Sequence, residues 1–182
     1  MGRQCEAPVR RLEAPSPYFL IMKIGVLGPG REATPVEETL AEEVGRALAQ
    51  RLEKPILVCG GLEGVMRSAA RGCFENGGTT VGLLPGITPQ TVNPYLTVEL
   101  PTGLGELRNW VIVNACDVFI CVGGSWGTLS EISLAIRSGK RCFGLNSWTV
   151  ANVDGTTRAE IESVETPQQA VQYAIAAVEV RQ

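Results

Sequence analysis

The 182-residue sequence contains no histidine. That absence excludes Ser-His-Asp and Cys-His nucleophile systems, histidine-ligated zinc and an imidazole proton shuttle. Aspartate is nearly as scarce, at Asp117 and Asp154 only, and lysine stands at Lys23, Lys54 and Lys140 alone. Acid–base chemistry falls to carboxylates, Cys, Tyr, Lys or the substrate itself, with glutamates the main candidates. A site without imidazole is expected to be silent between pH 6 and 7. None of the three lysines sits where a Schiff-base residue would: Lys23 opens a strand pattern, Lys54 ends a helical one and Lys140 precedes a strand.

Long apolar runs are missing too. A membrane span needs ~18–20 apolar residues, and the early run from Tyr18 to Met22 is also shorter than a signal-peptide core of roughly 7–15 residues. The six cysteines (Cys5, Cys59, Cys73, Cys116, Cys121 and Cys142) show no C-x-x-C spacing. Cys59, Cys121 and Cys142 lie inside apolar runs, as free thiols do, which predicts a reduced, cytoplasmic protein without a disulfide framework. A net charge of −3 argues against a general nucleic-acid or membrane surface, so neither partner is expected. No metal site is expected.

What is present is a globular composition, 45% hydrophobic and 19% charged, of a length suited to one domain. Arginine outnumbers lysine 13 to 3, and its planar fork suits phosphate or carboxylate. Residues 1–21, with three prolines and no periodicity, read as a flexible extension before a domain at 22–182. From Met22 onward, short apolar strands alternate with amphipathic helices. Strands are predicted at 23–27, 55–59, 79–84, 96–100, 117–122 and 140–145. Helices are predicted over 34–52, 62–74, 105–115, 128–138 and 166–180. Thr34 and Glu37 have capping-box spacing around Pro35. The alternation predicts an α/β fold: a single-domain, doubly wound parallel sheet (Rossmann-like) with helices on both faces. A 3-2-1-4-5 style of strand order is expected, with the winding reversing at the irregular 85–95 crossing.

Three glycine turns follow three strands directly: Gly28-Pro-Gly30, Gly60-Gly61-Leu-Glu-Gly64 and Gly123-Gly124-Ser125-Trp126-Gly127-Thr128. In a parallel sheet all three emerge at the carboxyl edge, where backbone N–H groups and helix starts form an anion cradle. Arg31 stands beside the first turn and Ser125 can donate to a phosphate. Trp126 suits stacking on a ring or packing on a neighbouring helix. Thr128 and Glu131 also have capping-box spacing, so Glu131 has a purely structural reading beside a chemical one. The first turn lacks the G-x-G-x-x-G order of a dinucleotide site, and Gly139-Lys140 lacks a Walker loop.

The segment from Gly123 to Glu131 resembles the P-G-G-x-G-T-x-x-E signature of the Lonely Guy (LOG) family, long mislabelled lysine decarboxylases. Arg108, nine residues before Asp117, is similar to the family's R-x8-D segment, and Gly60 to Met66 to its G-G-G-x-G-L-M turn. The resemblance covers about Met22 to Val180 and implies the same fold, without lysine decarboxylation. Strict members release the base and ribose 5-phosphate from cytokinin nucleoside monophosphates. By motif, Glu131 and Arg108 would be the catalytic pair, with Gly124, Gly127 and Thr128 on the phosphate. Gly123 replaces the signature proline, Ser125 its second glycine, and Asn114 the family's second arginine. Those departures look more like the sister branch of molybdenum-cofactor carrier proteins. The resemblance thus implies binding of a phosphate-bearing ligand, a nucleotide or a molybdopterin, with no required cofactor. The alternative is a nucleoside 5'-monophosphate phosphoribohydrolase. It also implies a homo-oligomer, dimer or tetramer, which the apolar run Trp110 to Val113 would suit.

Overall fold

The computed structural model describes residues 21–51, 53–88, 93–158 and 160–179; apart from Ile21, the expected N-terminal extension lies outside them. The chain runs β1 (Lys23–Leu27), α1 (Pro35–Ala49), β2 (Ile56–Cys59), α2 (Val65–Phe74), β3 (Thr80–Leu84) and β4 (Val98–Pro101). A single 3-10 turn, Gly105–Leu107, leads into α3 (Arg108–Ala115), β5 (Val118–Val122), α4 (Trp126–Arg137) and β6 (Cys142–Leu145). A two-stranded ribbon, β7 (Val150–Ala151) with β8 (Thr157–Arg158), precedes β9 (Ile161–Val164) and α5 (Pro167–Glu179).

Seven strands pair in the order β4-β3-β2-β1-β5-β6-β9, every pair parallel. This is the expected doubly wound α/β fold. The reversal falls elsewhere than expected, however. The crossing after β3 joins two neighbouring strands. The chain turns back only after β4, through α3, to place β5 against β1. The prolines and Asn93 of the 85–95 crossing carry no information about the direction of winding. The strand β9 and the ribbon before it escaped the sequence reading, because runs of two to four residues show too little periodicity.

Alternating side chains send one set of residues to each face of the sheet. On one face Ile24, Val26, Leu57 and Ile120 meet α1, α2 and α5; on the other Leu27, Val58 and Phe119 meet α3 and α4. Gly25 has its register partner in Phe119, whose ring lies where a Cβ would stand. The capping box forms as expected: the Thr34 hydroxyl accepts the Glu37 N–H, and the Glu37 carboxylate accepts the Thr34 N–H at 2.7 Å. Val36, in the first turn of α1, is exposed. The buried stripe is Ala41, Val44, Gly45 and Leu48, because α1 packs on α2 as well as on the sheet. Gly45 and Gly72 let those two helical backbones touch. No helix of the described residues is long and apolar enough to cross a membrane.

Candidate functional site

β1 lies between β2 and β5, so the crevice at its carboxyl end is the topological switch point, where open α/β sheets bind ligands. A cleft of about 310 Å³ opens there. Gly28 and Gly30 after β1, Leu62 and Met66 after β2, and Pro85 after β3 form part of its wall. The start of α3 adds Gly105, Glu106, Arg108 and Asn109. The start of α4 adds Ser125, Gly127, Thr128, Ser130 and Glu131.

Arg108 and Glu131, 23 positions apart in sequence, meet in this cleft with Nη1 and Oε1 3.5 Å apart. Both side chains are buried, the residues 8% and 9% exposed. Arg108 Nε and Nη1 are nevertheless buried without a hydrogen-bond partner. The guanidinium lies against Gly60, where any Cβ would overlap it. That contact gives Gly60 a specific role: it leaves the space in which the arginine folds back over β2. At Glu131, burial pushes the carboxyl up to about 7, and the nearby Arg108 charge only partly opposes the rise. The site therefore titrates within the window expected to be silent in a protein without histidine. Desolvation has moved a carboxyl to where an imidazole would stand.

Glu131 does not cap its helix. The Ser125 hydroxyl does so, accepting the Thr128 N–H at 3.2 Å, with Ser125 and Thr128 hydroxyls 3.1 Å apart. That cap places Glu131 in the second turn of α4, free of the backbone and facing Arg108. Cys59 is fully buried near the pair, and desolvation raises its thiol to about 11, so it is neutral at physiological pH.

The remaining expected site residues divide. Gly28, Gly30, Ser125, Gly127 and Thr128 line the cleft. Arg31 does not: it is exposed and pairs with Glu63 at 2.7 Å. Gly61 sits at φ +74 over Leu84. Gly64, the N-cap of α2 at φ +65, stands where any Cβ would overlap the Pro29 and Gly30 carbonyls, and Gly123 at φ +63 leaves space for the Glu37 carboxylate. Gly124 abuts the Trp148 indole, whose N–H donates to the Ser125 carbonyl at 3.2 Å. Trp126 is 79% exposed and lies on Trp148, ring centroids 5.4 Å apart, outside the cleft wall. Glu106, Asn109 and Ser130 were missed, although the first two flank Arg108 within two positions. Among the described residues no cluster of cysteine and carboxylate ligands could hold a metal ion.

Fold and cleft define the class: a doubly wound α/β protein with a buried Arg–Glu pair at its switch point. Residues 21–173 match the SLOG cluster4 family, and the chain belongs to it, in the branch of the LOG-like superfamily that holds the molybdenum-cofactor carrier proteins. An uncharacterized protein of Archaeoglobus fulgidus is 36% identical over 155 residues, covering 85% of this chain and 95% of that one. The molybdenum cofactor binding protein of Rippkaea orientalis is 31% identical, with TM-score 0.77, over 86% of this chain and 97% of that one. The molybdenum cofactor carrier protein of Chlamydomonas reinhardtii is 26% identical, with TM-score 0.72, over 87% of this chain and 98% of that one.

One expectation about partners is corrected by these comparisons. DNA processing protein A of Helicobacter pylori, which binds single-stranded DNA, shares the fold at TM-score 0.65 and 18% identity, over 86% of this chain and 81% of that one. Net charge is a sum over the whole chain, whereas nucleic-acid contacts depend on local groups. The −3 balance therefore does not exclude nucleic acid for this fold. The apolar run invoked for an oligomer is divided: Ile112 and Val113 belong to the protein's own core, and Trp110 and Val111 are exposed.

Proposed function

We propose that the cleft binds a phosphate-bearing small ligand of nucleotide or molybdopterin type, with Arg108 as its principal charged contact. The observation that carries this reading is the buried guanidinium whose Nε and Nη1 make no hydrogen bond, Nη1 having only the ion-pair contact with Glu131 at 3.5 Å. Such unmet donors cost roughly 1–3 kcal/mol each, more for charged groups, and a phosphate supplies the acceptors they lack. α2 begins without a side-chain cap, and its positive dipole end favours an anion there. Glu131, neutral for part of the time near pH 7, repels that anion less than an ordinary glutamate would. The carrier proteins that share the family and fold support a molybdopterin-type ligand. The arginine and the start of α2 suit its phosphate, and Leu62, Met66 and Pro85 suit the face of its ring. A cleft of about 310 Å³ falls at the small end of the ~300–1,000 Å³ typical of small-ligand sites.

The test is calorimetric titration with inorganic phosphate and ribose 5-phosphate. Arg108→Met should weaken binding by at least tenfold; equal affinity in the two proteins refutes the reading.

A second reading rests on the Glu131 carboxyl at about 7, in the range useful to a general acid–base group. Here the protein hydrolyses nucleoside 5'-monophosphates. The C1'–N bond breaks through an oxocarbenium-like state stabilised by Glu131, water supplies hydroxide to C1', and the departing base takes up a proton. Free adenine and ribose 5-phosphate from AMP, lost in Glu131→Gln, would establish it. Binding without turnover favours the carrier.

A further inference from the structure

The cleft holds more than a phosphate needs. Its charged side chains are one cation, Arg108, and two carboxylates, Glu106 and Glu131. With both carboxylates ionised the wall is net negative, and with Glu131 protonated it is neutral. A phosphate needs only Arg108 from such a wall, whereas a ligand that also carries hydrogen-bond donors gains from the carboxylates as well. Two features supply acceptors for those donors. Glu106 stands on the 3-10 turn before α3, and none of the ion pairs of the described residues involves it. Asn109, one residue past Arg108, has its amide oxygen buried with no partner. A buried unpaired acceptor is costly, and it is satisfied when a donor arrives. Leu62, Met66 and Pro85 add apolar surface for the body of a flat ring.

We propose that Glu106 and Asn109 select the ligand's ring by an edge carrying two adjacent N–H donors. The 2-amino-4-oxo edge common to guanine and pterins has that pattern. Adenine presents an acceptor nitrogen there, which a carboxylate repels. The inference rests on the phosphate-binding reading of the same cleft and adds to it the chemistry of the ring. Glu106 supplies the stronger discrimination, because a carboxylate takes both donors of such an edge at once, as it takes two from an arginine. A site built to accept hydrogen bonds rejects analogues that cannot donate them more sharply than an apolar pocket rejects a missing methylene.

The experiment is titration calorimetry of the full chain with GMP, IMP, AMP, a pterin phosphate such as neopterin monophosphate, and inorganic phosphate. The expected order is GMP above IMP above AMP, with at least tenfold between GMP and AMP. The pterin phosphate, with the same donor pair, should compete with GMP; whichever binds tighter identifies the source of the edge. Glu106→Gln should bring the GMP-to-AMP ratio towards one, while affinity for inorganic phosphate holds or rises. Asn109→Ala should lower the ratio by a smaller factor. Equal affinity for GMP and AMP in the unaltered protein overturns the proposal, as does a ratio that Glu106→Gln leaves intact. If inorganic phosphate binds through Arg108 but no ring is preferred, only the ring selection falls. If inorganic phosphate does not bind, the phosphate reading falls with it.

Discussion

Replacing Glu131 by glutamine should make the protein more stable at alkaline pH, and the size of the gain follows from the site. Burial raises the carboxyl from 4.5 to about 7 in the folded protein, net of the opposing Arg108 charge. Below pH 4.5 the group is protonated folded and unfolded, and its titration contributes nothing. As pH rises through 4.5 the unfolded chain ionises first, while the folded site holds its proton. Stability is therefore lost progressively until the folded site ionises near 7, and the full penalty persists above that. At about 1.36 kcal/mol per pH unit of separation, the loss is about 3 kcal/mol. Glutamine has nearly the same shape and cannot ionise, so it lacks this dependence. Urea unfolding of both proteins at pH 4.5 and pH 8 isolates the effect, because all other titrating groups are shared. The stability difference should move by about 3 kcal/mol in favour of Glu131→Gln between the two pH values. Parallel pH profiles would refute the reasoning, since they would mean that the carboxyl is solvated or that Arg108 fully compensates its burial.

Gly60→Ala should displace the Arg108 guanidinium from β2, weakening inorganic phosphate binding by at least tenfold; circular dichroism at the far-UV end should stay unchanged, which separates a local displacement from unfolding. Gly45→Ala places a Cβ against the Ala69 carbonyl and the Cys73 backbone at the contact of α1 with α2. Neither backbone can yield cheaply, so denaturant unfolding should show a loss of about 3 kcal/mol or more, at the upper end of ordinary point-mutant effects.

Much of the site was legible from local signals. The Thr34–Glu37 box formed because a cap is decided within four residues. The glycine turns end strands at the carboxyl edge because strand and turn are neighbours in sequence. The pairing of Arg108 with Glu131 was available only through the family resemblance, since 23 residues and a strand lie between them. One alternative posed by spacing was settled by packing. Ser125, not Thr128, capped α4, and Trp126 lay on Trp148, a residue that no local pattern connects with it.

By itself, then, the sequence determined the doubly wound α/β class, the placement of most strands and helices, and the glycine turns at the carboxyl edge of the sheet. These depend on periodicity, caps and turns, all short-range. Tertiary structure alone decided where the winding reverses, which glycines border the cleft, and that Glu106 and Asn109 share it with Arg108. It alone set the acidity of Glu131. Desolvation is produced by everything packed around a group, and the residues around Glu131 come from distant parts of the chain: Arg108 from α3, with Cys59 and Cys121 from the strands nearby.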